Sequence, residues 1–419
     1  MHTYFIVYKK GKMKMKKIIA MLLCLLMAMS LVACGNKEEE AVVEDEPGKI
    51  AIITGTTSQG EDEYAAAQAI KAKYGDRVLL DTYPDNFSEE YETVVTTIAK
   101  YADDATVKAV IVNQAVPGTA EAFKKIKETN PDVLCMAGTA QEEYAVIAPA
   151  ADIVINNNPY ARGYLMIKTA KDLGCDTFVH VSFPRHMSMQ DMQIRHAILE
   201  KTCEEMGLKF YDETSPDPTD TSAGGMPGAV AFMQETTPQW IEKYGQNAAF
   251  FCTNDGETEP MLAALVANGG YFIEADLPSP LMGYPGALGI EGLGFENVNW
   301  DDIVATVENA INEAGGAGRF GTWKVSLGYS TGYGLAEYAF KYMDGEFDTV
   351  EMDDVRDVFD EVTGVGFNFA KFTDAANGVT YQNCFLIYED TYIMGNPGYP
   401  AGNTEVEIPD WVYSITGAE

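Results

Sequence analysis

The feature that most restricts this chain is a recurring pair: a short, continuous apolar run ending in polar residues, then an amphipathic stretch of helical length. Ile50-Ala51-Ile52-Ile53 leads into Thr54-Gly55-Thr56-Thr57, and Val78-Leu79-Leu80 follows a helical segment. Val110-Ile111-Val112 runs into Asn113-Gln114, and Val133-Leu134-Cys135-Met136 into Ala137-Gly138-Thr139. Strands without polar alternation are buried on both faces, which is the habit of parallel sheets covered by helices. A second series starts at Phe178-Val179-His180-Val181, passes through Leu208-Lys209-Phe210-Tyr211 and reaches Ala248-Ala249-Phe250-Phe251-Cys252 before Thr253-Asn254-Asp255-Gly256. The fold class expected is α/β, with two doubly wound parallel-sheet lobes joined by a hinge. The stretch from Ile153 to Gly163, with its Pro and polar residues, reads as the crossing between them.

The first 33 residues belong to neither series. They hold six lysines and no acid, followed by an apolar run from Ile18 to Met29 and then Leu31-Val32-Ala33-Cys34. A basic start and a short apolar core are the marks of an export signal. Met13 or Met15 would serve as a start as well as Met1. Residues 34–47 carry Glu38, Glu39, Glu40, Glu44, Asp45 and Glu46 with few large apolar groups, too little to offset the entropy of ordering, and are expected to form a leash.

The formal charge is −34; without the six signal lysines, 23 basic residues remain against 63 acids, a net −40. Such a surface repels phosphate backbones, so a nucleic-acid partner is not expected. Beyond Cys24 and Cys34, five cysteines remain without CxxC spacing, so a disulfide framework or zinc ribbon is not expected.

In open parallel sheets ligands bind beyond the carboxyl ends of the strands. The polar groups there, Thr56, Gln59, Asn113, Gln114, Thr139, Asn158, Arg185, His186, Asn254 and Asp255, form the expected ligand-binding set. Arg185 supplies a fixed fork of donors and is weighed equally against a salt bridge. Ser188 and Asp191 have the spacing of a capping box. Asn254 and Asp255 are read both as pocket groups and as an Asx turn opening a helix.

The rival reading is a surface α/β hydrolase. Gly328-Tyr329-Ser330-Thr331-Gly332 matches G-x-S-x-G, after strand-like Trp323–Leu327 and before a helix expected at Leu335. No histidine follows His196, so the base usual in that chain order is missing, and the segment is read as a Gly-rich turn. His180 and His196 are read as packed residues. No metal, cofactor or catalytic residue is expected, and the protein is read as a non-enzyme.

Leu31-Val32-Ala33-Cys34 resembles the lipobox of bacterial lipoproteins, which implies lipidation at Cys34. The body is similar to type I periplasmic-binding-protein-like lipoproteins, and specifically to a family of surface lipoproteins grouped as a domain of unknown function. Asn254-Asp255, an Ala-rich helix and Asn268-Gly269-Gly270 resemble the N-D-x-x-A…G segment of sugar-binding members, whose Asp lines the pocket; Thr258 departs from that pattern. The resemblance implies capture of a small polar ligand such as a sugar or nucleoside, an ABC permease or sensor as partner, and a lipid anchor on the outer face of the cell membrane. A cytosolic repressor-type sensor shares the lobes, but an export signal disfavours it. The expected divisions are 1–33 signal, 34–47 linker, 48–157 and 158–290 lobes, and 291–419 hinge-return elements with a C-terminal extension.

Overall fold

The computed structural model describes residues 48–397, 399 and 406–416; the expected signal, Cys34 and the acidic linker lie outside them. Chain order begins β1 (Lys49–Thr54), β2 (Val78–Thr82), β3 (Val107–Asn113), β4 (Leu134–Gly138) and β5 (Ile153–Asn157). The second series is β6 (Thr177–Ser182), β7 (Lys209–Thr214), β8 (Ala248–Cys252) and β9 (Tyr271–Phe272). Then come β10 (Gly321–Thr322), β11 (Asn368–Asp374), β12 (Val379–Tyr388) and β13 (Tyr392–Ile393).

The first lobe is a seven-stranded sheet in the order β11-β12-β5-β4-β3-β1-β2, and the second a four-stranded sheet, β7-β6-β8-β9. Within these two sheets every pairing is parallel except β11 with β12, and β10 and β13 form a separate antiparallel pair. Continuous apolar runs dictate this: Ala51 and Ile53 face one core while Ile50 and Ile52 face another, and all four are buried. Phe250 and Phe251 divide in the same way between the two faces of the second sheet. The two-lobed α/β expectation therefore holds.

The last third of the chain is split between the lobes. Helix Trp300–Glu313 buries Val307 and Ile311 in the second lobe, beyond the boundary expected at residue 290. Helix Leu327–Met343 instead packs Leu335 and Ala339 on the first sheet, where β12 pairs with β5 from Cys384↔Val154 to Ile387↔Asn157. Loop glycines between 283 and 294 interrupt the apolar period there, which is why the boundary falls early in the sequence. Asn299 caps its helix, accepting from the Asp302 amide.

Two local expectations are corrected. Gly328–Gly332 lies inside helix Leu327–Met343, capped by Ser326, and not on a strand-to-helix turn. Ser330 is buried within that helix, so the geometry of a nucleophile elbow is absent. The Ser188–Asp191 capping box does not form either: Met189 precedes helix Gln190–Met206, and Ser188 donates to the Arg185 carbonyl. The five described cysteines are buried free thiols. Among the described residues no helix is long and apolar enough to cross a membrane.

Candidate functional site

The carboxyl ends of the two sheets face each other across a cleft. The first lobe contributes Gln59, Phe87, Gln114, Gln141, Tyr144 and Asn156, and the second contributes Arg185, His186, Asp191, Asn254, Asp255 and Asp276. Of the expected set, Gln59, Gln114, Thr139, Arg185, His186, Asn254 and Asp255 line this cleft.

Gln114 and Thr139 follow β3 and β4 directly and hold φ of 46° and 49°. For a β-branched residue such as Thr139 a left-handed backbone is an outlier, sustained only when the surroundings over-determine it. The Thr139 amide is anchored 2.7 Å from the Ile155 carbonyl. Both departures turn the chain sharply at the cleft floor.

Arg185 combines the two roles weighed for it. Its Nε donates to Asp217 Oδ2 at 2.7 Å and its Nη2 to Oδ1 at 3.1 Å, yet Nη1 is buried without a protein partner. The guanidinium lies 5.4 Å from the Phe87 ring of the first lobe and 5.2 Å from Phe183. His186 Nδ1 is 3.1 Å from Thr253 Oγ1, and burial pushes its pKa down to about 3, so the ring is neutral. Asn254 accepts from the Gly256 amide at 3.0 Å while also lining the cleft, so the Asx turn and the pocket position coexist. Burial, then neighbouring Asp276 and Glu63, holds the Asp255 carboxyl well above the usual carboxylate range.

Three expected residues lie elsewhere. Thr56 donates to Asp85 in a loop cluster outside the cleft. Asn113 is packed away from it: a Cβ on Gly138 would lie 2.3 Å from its Oδ1 and one on Gly332 2.9 Å from its Nδ2. Strand alternation explains this, since successive residues point to opposite sides. Asn158 accepts from the Tyr160 and Ala161 amides at 3.1 and 3.0 Å, capping helix Pro159–Asp172.

The sequence reading missed the apolar and acidic parts of the site. Phe87 lies in the loop between β2 and helix Tyr91–Ala99, and Tyr144 sits on a helix of one turn, Tyr144–Ile147. Asp276 follows β9, which is only two residues long and too short to register as an apolar run. Asp191 was legible only as a capping residue. Instead its Oδ2 accepts from Tyr144 Oη at 2.8 Å and from Asn156 Nδ2 at 2.9 Å, while burial raises its pKa to about 7.

Behind the cleft the crossing segments meet in a buried polar knot. Arg162 Nε donates to Glu274 Oε1 at 2.6 Å, and its Nη1 and Nη2 donate to the Asp276 and Ala275 carbonyls at 2.8 Å. Glu274 Oε2 also accepts from Trp323 Nε1 at 3.1 Å and Thr391 Oγ1 at 2.9 Å.

Two parallel-sheet lobes whose strand ends enclose a polar cleft define the type I periplasmic-binding-protein fold. Solved structures share it: a Clostridium difficile 630 protein described as a candidate transcriptional regulator is 18% identical, with a TM-score of 0.66 over 83% of this chain and 99% of its own. The substrate-binding protein of a sugar ABC transport system from Bordetella parapertussis 12822 is 8% identical, with a TM-score of 0.50 over 89% and 94%. The chain itself belongs to the DUF3798 family, proteins of unknown function, whose model matches residues 49–321. A further family model matches residues 332–415. Two uncharacterized proteins of Treponema pallidum (strain Nichols) are similar. One is 39% identical over 197 residues, which is 47% of this chain and 88% of its own; the other is 34% identical over 176 residues, 40% and 80%.

Proposed function

We propose that the protein is an extracytoplasmic solute-binding lipoprotein, tethered through Cys34 to the outer face of the cell membrane, that captures a small polar ligand for an ABC importer or a sensor. The observation that carries this reading is the set of buried cleft atoms without protein partners. Gln141 Oε1 and Asn156 Oδ1 offer acceptors, Arg185 Nη1 offers a donor, and Asp191 Oδ1 donates or accepts according to the protonation of its carboxyl. Burying such groups unpaired costs about 1–3 kcal/mol each, so a ligand rich in hydroxyls or amide groups satisfies them with a net gain. Phe87 and Tyr144 supply apolar faces beside them. A sugar, a nucleoside or a related molecule has this combination, and the Bordetella protein of the same fold serves a sugar transport system.

The test is a thermal-shift survey of sugars, nucleosides and amino acids on the purified protein. A ligand at about 100 times its Kd adds about 2.7 kcal/mol of stability; no shift with any class would reject capture of this kind. Mass spectrometry of the membrane-associated protein checks the tether: a diacylated Cys34 at the N-terminus is expected, and an unmodified thiol there overturns that part.

A further inference from the structure

Away from the cleft, three side chains meet at the edge of the second sheet. His180 on β6 and Asp212 on β7 are direct partners in the parallel register, so their side chains leave the same face. Helix Gln190–Met206 follows β6 and places His196 beside them. His180 Nδ1 is 2.9 Å from Asp212 Oδ1, and His196 Nε2 is 2.9 Å from the same oxygen and 3.1 Å from Oδ2. The two imidazoles meet edge to face, with centroids 4.9 Å apart.

We propose that His180, His196 and Asp212 form a binding site for a divalent transition metal, with zinc as the best-matched ion. Two imidazoles and a carboxylate are the donors such ions take, and three protein ligands with open positions are a recognised arrangement. Ligand atoms about 2.0–2.1 Å from a tetrahedral ion lie about 3.3 Å from each other, so admitting one asks each imidazole nitrogen to move only a few tenths of an ångström further from the Asp212 oxygen. The three nitrogen and oxygen donors already lie within 4.8 Å of one another. Each ligand comes from a different rigid element, two neighbouring strands and the helix between them in sequence, which fixes the geometry better than loops do. Access is built in: the Asp212 side chain is 56% exposed and that of His196 22%, leaving solvent to complete the coordination.

The pattern is invisible to a search for short metal motifs, which is why no metal was expected from the sequence. The ligands recur at a spacing of 16 residues, half of the 32-residue step from β6 to β7, so the βαβ unit itself brings them together. None of the three lines the cleft, so the site is separate from the ligand-binding one. The five described cysteines are buried and offer no competing exposed thiol.

The decisive experiment titrates chelator-treated protein with Zn²⁺ by calorimetry and with Co²⁺ by visible absorption, for the wild type and for His196→Ala and Asp212→Asn. One ion per chain is expected, with a tetrahedral or five-coordinate Co²⁺ spectrum and a raised melting temperature. Affinity should fall roughly 10- to 100-fold or more in each variant. His196 is partly exposed, so its variant keeps the fold, which circular dichroism verifies. Binding by the wild type no tighter than by His196→Ala, or a Co²⁺ spectrum like that of the aqueous ion, overturns the proposal. In that case Asp212 serves only to accept hydrogen bonds from two imidazoles.

Discussion

The Asp191 carboxylate of the second lobe accepts a 2.8 Å hydrogen bond from the Tyr144 hydroxyl of the first. Asn156, also on the first lobe, donates to the same oxygen. The contact is thus a latch across the cleft, and it is built from residues that face the ligand space. Replacing Asp191 with Ala leaves the buried Tyr144 hydroxyl without its acceptor, while the Asn156 amide keeps the Ala140 carbonyl and the Tyr144 oxygen, a loss of about 1–3 kcal/mol. Urea denaturation measures it; a variant as stable as the wild type would show that the latch contributes nothing.

Buried acids give the protein an unusual pH response. Burial raises Asp191 to about 7 and Glu63, Glu257 and Glu389 to about 8. These groups keep their protons in the folded state while the unfolded chain has lost them. Their stabilisation is complete below the unfolded values near 4 and disappears as pH rises through the folded ones. His186, depressed to about 3, has the opposite sense: it stabilises above about 6.5 and is lost as pH falls. Below 6.5 the two effects oppose each other. From 6.5 to 8 the acids act alone, and unfolding free energy should fall. Glu257→Gln, which keeps the neutral shape, should flatten that slope; an equal slope in wild type and variant counts against the assignment of Glu257.

Arg162 and Glu274 are both buried, and breaking such a pair from one side strands a charge. Arg162→Ala is expected to cost about 3–5 kcal/mol. In Arg162→Ala/Glu274→Gln the second change removes the stranded charge, so the double variant should lose less than the sum of the two singles. A strictly additive cycle, read by denaturation, would contradict the pairing.

The left-handed backbone at Thr139 gives a cleaner test of strain. Relief of about 1–2 kcal/mol on substitution by Gly is partly offset by roughly 0.5–1 kcal/mol of added unfolded-state entropy, so Thr139→Gly should gain about 0.5 kcal/mol. Thr139→Ala keeps the strain and should gain nothing. Equal gains in the two variants would locate the effect in the side chain instead.

Much of this architecture was legible because its strands are continuous apolar runs, and Ile50–Ile53 or Val110–Val112 can be little else. Their carboxyl ends then indicated Gln59, Gln114 and Asn254 as cleft residues. Asn113 was misplaced because the apolar run does not show on which residue the strand ends, and one residue changes the face. Tyr144, Asp191 and Asp276 lay beyond reach for another reason. Their positions depend on how the lobes meet and on a strand of two residues, which are products of tertiary packing. The GYSTG segment shows the converse: the motif is present, but the cap at Ser326 starts the helix three residues earlier than the elbow reading requires its serine to stand free.

Glu274 gathers Arg162, Trp323 and Thr391, residues from separate passages of the chain between the lobes, onto one carboxylate. Strands pinned at a common point cannot flex independently. Any opening of the cleft has to be accommodated around that carboxylate or break its hydrogen bonds.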